Sequence, residues 1–219
     1  MTKLAIFDLD GTLLNTIEDL AEACNHALEM CGFPVRELEE YNTLVGRGIY
    51  NLFKGALPPS ARSEDMIMKM KGYFLPFYDM HKSDRTRPYD GIYGMLDTLS
   101  SAGIKLAVAS NKYQDGTEKL VGKYFGKYRF EKVIGQRDGH PIKPDPMIIM
   151  EAMEAAGIGN RDEVVYCGDS DVDMQTGINS GVTTIGVLWG FRTREELQAY
   201  SPWAIADSPE QLAGLILDR

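Results

Sequence analysis

Leu4-Ala5-Ile6-Phe7-Asp8-Leu9-Asp10-Gly11-Thr12-Leu13-Leu14 begins as an apolar run and stops abruptly at two acids, a glycine and a hydroxyl. A short continuous apolar run bounded by turn residues fits a strand covered on both faces. Residues just past the end of such a strand face the crevice where open α/β sheets take their ligands. The segment therefore delivers two carboxylates, Asp8 and Asp10, to one point, and a carboxylate placed there is a candidate nucleophile.

The same pattern recurs further along. Ile104-Lys105-Leu106-Ala107-Val108-Ala109 ends in Ser110 and Asn111, and Val164-Val165-Tyr166-Cys167-Gly168 ends in Asp169, with Asp171 and Asp173 beyond. Lys143 stands between Pro141 and Pro144. Ala102-Gly103-Ile104, Ala156-Gly157-Ile158 and Ser180-Gly181-Val182 each close a helical pattern with glycine ahead of apolar or β-branched residues. Helix, glycine, strand, repeated, signals βαβ units and a parallel sheet. Strands are predicted near 3–8, 104–110, 130–134, 163–168, 182–187 and 203–206. Helices are predicted near 92–102, 115–125, 147–156 and 171–180, and a last one starts at Ser208-Pro209-Glu210-Gln211 with its own capping pattern.

From Thr16 to about Asp84 this rhythm gives way to helical periodicity without a strand. Ile17, Leu20, Ala21, Cys24, Ala27, Leu28 and Cys31 mark one buried helix face, and Met66, Met70, Phe74 and Phe77 continue a stripe suited to the core of a small bundle. The chain returns through Arg87-Pro88-Tyr89-Asp90-Gly91, a turn-rich hinge candidate. The expected organisation is a doubly wound, Rossmann-like parallel sheet formed by 1–15 and 85–219, with an all-helical domain, 16–84, inserted between its first two strands.

At 219 residues, 44% of them hydrophobic, the chain is long enough for a full core plus an insertion. A net charge of −9 and no dense Lys/Arg cluster argue against nucleic acid or an anionic membrane as partner. No segment approaches the ~20 apolar residues that span a bilayer. Met1-Thr2-Lys3 leads straight into a run too short for a secretory core, and the three cysteines form no Cys-x-x-Cys pair. The expectation is a cytoplasmic protein with core thiols, monomeric or homodimeric. His26, His81 and His140 lack ligand spacing and are assigned no metal and no catalysis.

The four strand-end and loop motifs, taken in order, resemble the signature of the haloacid dehalogenase superfamily, Asp-x-Asp-Gly-Thr followed by Ser/Thr, Lys and a terminal acid cluster. The inserted helices resemble the cap of its phosphoglycolate phosphatase and β-phosphoglucomutase branch. The resemblance implies a Mg²⁺-dependent phosphomonoester hydrolase acting on a small phosphorylated metabolite. In such an enzyme Asp8 takes up the phosphoryl group, and Asp10 protonates the leaving oxygen and then activates water. Mg²⁺ would be held by Asp8, Asp169 and the Asp10 carbonyl, with Asp173 behind the metal or completing its site. Ser110 and Lys143, with Asn111 nearby, would grip phosphoryl oxygens, and Gly11 and Thr12 would support the nucleophile loop.

Asp169-Ser170-Asp171-Val172-Asp173 also has the alternating acids of a calcium loop, but Met174 and Ser180 occupy the positions that need glycine and glutamate. A phospho-accepting receiver module uses similar groups, yet it needs only about 120 residues and no inserted lid. Dehalogenating relatives lack the second acid, so Asp10 favours phosphate transfer, and Leu20 stands where mutases carry a cap histidine. Asn15 stands where many relatives have Asp. Val45-Gly46-Arg47-Gly48-Ile49 resembles the Gly-x-Gly cap loop of phosphoglycolate phosphatases; Arg47 is a candidate to hold a substrate carboxylate bidentately, the alternative being an ordinary helix-connecting turn with a solvated arginine. Pyrophosphate, nucleotides and sugar phosphates are the alternative substrates.

Overall fold

The computed structural model describes all residues, Met1–Arg219. The strands are β1 (Leu4–Phe7), β2 (Leu14–Asn15), β3 (Arg87–Pro88), β4 (Lys105–Tyr113), β5 (Phe130–Gln136), β6 (Val164–Gly168), β7 (Thr183–Val187) and β8 (Ala204–Ala206). The α-helices are α1 (Ile17–Met30), α2 (Tyr41–Leu44), α3 (Gly48–Ala56), α4 (Glu64–His81), α5 (Ile92–Ser101), α6 (Gln114–Phe125), α7 (Met147–Ala156), α8 (Asp171–Ser180), α9 (Arg194–Gln198) and α10 (Pro209–Leu217).

Six strands form a parallel sheet in the order β5-β4-β1-β6-β7-β8. The chain winds outward from β1 through β4 to β5, then crosses to β6 and winds the other way. Strand order therefore reverses around β1, which opens a crevice beyond its carboxyl end. The apolar run of β1 is explained by its two covers. Ala5 and Phe7 join α5, α6 and α10 on one face, while Leu4 and Ile6 pack with Ile149, Ala152 and Tyr166 on the other. Gly157 and Gly181 end α7 and α8 in the left-handed conformation, as the junction pattern requires.

Residues 17–78 build a separate hydrophobic cluster around Tyr41, Phe53, Met70, Phe74 and Tyr78. The α4 stripe is Ile67, Met70, Phe74 and Tyr78, with Met66 and Phe77 only half-buried. The fold is thus an α/β sheet core carrying an inserted helical cap. Two details differ from the sequence reading. The hinge candidate at Arg87-Pro88 is a strand, paired antiparallel with β2. Cys31 lies half-buried past the end of α1, whereas Cys24 and Cys167 are core thiols.

Candidate active site

Sheet register brings the acids together. Phe7 is level with Val108 and Cys167, so Asp8, Ser110 and Asp169 emerge at the same end of three adjacent strands. The Asp8 amide donates to the Cys167 carbonyl at 2.9 Å, which holds the backbone in place one residue past β1. Asp8 Oδ1 accepts from the Leu9 amide at 2.7 Å and lies 2.9 Å from Lys143 Nζ. Asp169 accepts from Thr12 Oγ1 at 3.0 Å and from the Phe191 amide at 2.8 Å. Thr12 therefore orients Asp169, and its carbonyl takes the Trp189 indole N–H at 2.9 Å. Gly11 has φ +87°, and a Cβ there would overlap the Asp169 carboxylate.

Asp173 behaves differently from the other two acids. Its Oδ1 accepts from Lys143 Nζ at 2.8 Å and Tyr166 OH at 2.6 Å, and its Oδ2 from the Ser170 amide and hydroxyl at 3.0 and 2.6 Å. Four donors saturate this carboxylate, so it anchors Lys143 and completes a capping box with Ser170, the N-cap of α8. Burial alone would push Asp173 up, but Lys143, Ser170 and Tyr166 hold it below the usual carboxylate range. Lys143 is pushed up despite its burial, because Asp173 and Asp8 both favour its charge. Burial raises Asp8 to about 7 against the pull of Lys143, with Asp173 and Asp10 adding to the rise. Burial, Asp173 and Asp8 raise Asp169 to about 8.

Those upward shifts mark a charge deficit. Asp8, Asp10, Asp169 and Asp173 are buried with only Lys112 and Lys143 to offset them, four carboxylates against two ammonium groups. One oxygen from each of Asp8, Asp169 and Asp173 lies within 4.8 Å of the others. An all-oxygen donor set with two uncompensated negative charges suits a hard divalent cation, and the residues present fit Mg²⁺.

Asp10 lies across a cavity of about 50 Å³, room for a handful of waters. The sheet side of the cavity includes Asp8, Asp10, Ser110, Asn111 and Lys112, and the cap side includes Leu20, Gly46, Ile49, Phe74 and Tyr78. Ser110 Oγ faces this space and accepts the Lys112 amide at 3.3 Å. Asn111 does not offer its amide to the cavity. Its Oδ1 accepts the Lys143 amide at 2.8 Å, and its Nδ2 donates to the carbonyls of Lys143 and Gly46, both at 3.1 Å. It braces the lysine loop and touches the cap.

Arg47 is half-exposed and pairs with Asp171 at the start of α8, while Gly46 and Gly48 line the cavity. Two cations missed in the sequence complete the picture. Lys112 follows Ser110 and Asn111 because β4 runs on to Tyr113, three residues past the apolar signal. Arg192, after β7, is buried and donates to the cap carbonyls of Asn42, Thr43 and Val45, at the end of α2. Its position in a loop beyond a strand's carboxyl end is the signal that marks it.

Fold and site together define a doubly wound α/β sheet with a helical cap and a cluster of buried carboxylates at its strand ends. The profile of the family described as haloacid dehalogenase-like hydrolase matches residues 5–187. A phosphoglycolate phosphatase of Agrobacterium fabrum is 35% identical over 87% of this chain and 82% of its own length. One from Vibrio parahaemolyticus is 30% identical over 98% of this chain and 96% of its own length. A crystal structure from Lactobacillus delbrueckii subsp. bulgaricus superposes with a TM-score of 0.90 at 33% identity, covering 99% of both chains. The chain belongs to the haloacid dehalogenase-like hydrolases and is a phosphatase of that superfamily.

Proposed function

We propose that this protein is a Mg²⁺-dependent phosphomonoester hydrolase that works through an aspartyl phosphate on Asp8, with phosphoglycolate as the favoured substrate class. The observation that carries this reading is the meeting of Asp8, Asp169 and Lys143 at one strand end, with Asp10 two residues on and facing the same cavity. Uncatalysed monoester hydrolysis is extremely slow, so nucleophile, proton transfer and charge neutralisation must all be supplied.

Asp8 attacks phosphorus, forming its Oδ–P bond as the ester P–O bond breaks, and Asp10 gives its proton to the departing alkoxide. Asp10, now a carboxylate, takes a proton from water as the water oxygen bonds to phosphorus and Asp8 is released. Lys143 and Ser110 bind phosphoryl oxygens, and Asp173 and Asn111 keep Lys143 in place. A divalent cation held by Asp8, Asp169 and the Asp10 carbonyl would neutralise phosphoryl charge. The cap, 16–84, closes on the core, 1–15 and 85–219, and excludes bulk water while the acyl phosphate exists.

The similarity to two phosphoglycolate phosphatases supports the substrate class, and the small cavity suits a small leaving group. No helix is long and apolar enough to cross a membrane, and the free cysteines suit the reducing cytoplasm. The test is phosphate release over a panel of small esters, with Mg²⁺ and with excess chelator. Release that needs Mg²⁺ and favours phosphoglycolate is expected, and release undiminished by chelator would overturn the metal-dependent reading.

A further inference from the structure

Lys112 is a buried cation of the site that the phosphoryl end does not account for. Its side chain is 3% exposed, and its Nζ donates to both oxygens of Asp10, at 3.0 and 2.9 Å. From the other side, the same ammonium lies 4.8 Å from the centre of the Tyr78 ring. Tyr78 is itself fully buried, stacked on Phe74 at 5.2 Å with an interplanar angle of 22°. The lysine is therefore held between a carboxylate of the core and an aromatic face of the helical cap.

We infer that Lys112 is a positioning residue for Asp10, and that Tyr78 is the wall that keeps it in register. The inference rests on Asp10 being the proton donor and acceptor of the reaction. A lone carboxylate three residues past a strand rotates about two side-chain torsions, and a proton transfer group needs its reacting oxygen within hydrogen-bond reach of the leaving oxygen. An ammonium bonded to both oxygens fixes the plane and depth of the carboxylate. When Asp10 carries a proton, one of the two contacts persists and the other oxygen turns to the substrate. The ring behind Nζ keeps the lysine from retreating, because a cation on a desolvated aromatic face is held electrostatically without needing a hydrogen bond.

A role through Asp10 leaves a signature that general damage to the fold does not. Expulsion of para-nitrophenolate needs little help from an acid, whereas expulsion of an alkoxide needs a great deal. Breakdown of the aspartyl phosphate requires Asp10 as base whichever ester formed it. Lys112→Met should therefore lower kcat/KM for phosphoglycolate by ~30-fold or more and for para-nitrophenyl phosphate by less than ~3-fold. With the nitrophenyl ester its kcat should fall as well. Rapid mixing should then show a burst of nitrophenolate close to one per enzyme, as the phosphorylated form accumulates. Lys112→Arg, which keeps the charge and its two-point contact, should recover at least ~10-fold of the phosphoglycolate loss.

Tyr78→Leu should reproduce the same selectivity at smaller amplitude, and it carries the test if Lys112→Met does not fold. Equal losses of kcat/KM for both esters in a folded variant, or no burst, would overturn the inference. A wild-type enzyme that releases phosphate from neither ester would instead overturn the proposed function.

Discussion

Arg47 admits a quantitative test because its two possible duties differ in both the size and the substrate selectivity of the expected loss. In the structure its guanidinium lies on Asp171, with side-chain exposures of 56% for the arginine and 17% for the acid. Pairs this open to water contribute about 0.2 to 1 kcal/mol. If the pair latches the cap, Arg47→Ala should lower kcat/KM about 1.5- to 5-fold, and by the same factor for phosphoglycolate and para-nitrophenyl phosphate. If Arg47 instead leaves Asp171 to bind a substrate carboxylate, the loss should be about 2 to 4 kcal/mol, roughly 30-fold or more, and confined to phosphoglycolate. We expect the small, shared effect. Steady-state assays of the wild type, both single variants and Arg47→Ala/Asp171→Ala complete a double-mutant cycle. Its coupling should be about 0.5 kcal/mol for either ester. A selective loss of ~30-fold or more on phosphoglycolate would refute the latch assignment.

Asp8→Asn should lower kcat by on the order of 10³ or more, since an amide is a poor nucleophile; near-normal turnover in a clean preparation would remove Asp8 from its role. Asp173→Ala strips Lys143 of a buried partner and breaks the capping box of α8, which should cost about 3 to 5 kcal/mol and lower Tm by roughly 6 to 20 °C in a thermal melt. Melts also report the charge deficit. Unfolded Asp ionises near about 4, whereas burial holds Asp8 to about 7 and Asp169 to about 8 in the fold. Across that window the folded chain keeps protons that the unfolded chain has lost, so metal-free stability should fall as pH rises. Mg²⁺ competes with those protons, so its stabilisation should be larger at about pH 8 than at about pH 5.5, and equal shifts in Tm would contradict the site assignment.

The parts of the molecule legible in its sequence are those that repeat a local rule. Most strands of the sheet carry a short apolar run, and each of the glycine junctions ends a helix, so the doubly wound parallel architecture is legible in the chain alone. Asp8, Ser110 and Asp169 are legible for the same reason, because they sit where such runs stop. Lys112 and Arg192 are not, since a charged residue beyond an apolar run is ordinarily solvated, and only the tertiary arrangement buries these two. Asn111 shows the converse. Its place beside Ser110 suggested phosphate, whereas its amide is spent on the Lys143 and Gly46 backbone. The pairing of β2 with β3 spans two residues on each side, too few for any periodicity to register.

That small pairing also governs how the molecule can move. The chain leaves the sheet domain through β2 and re-enters it through β3, side by side, and the Asp19 carboxylate beside them accepts the amides of Arg85 and Thr86. A body tethered by two adjacent strands has one soft degree of freedom, rotation about the line they share, much as a door turns on its edge. Arg47 on Asp171, Asn111 on Gly46 and Arg192 on the α2 carbonyls all span the gap that such a rotation opens. A rotation along that line would break them together, and the expected outcome is a concerted opening with a single relaxation time in rapid-mixing fluorescence.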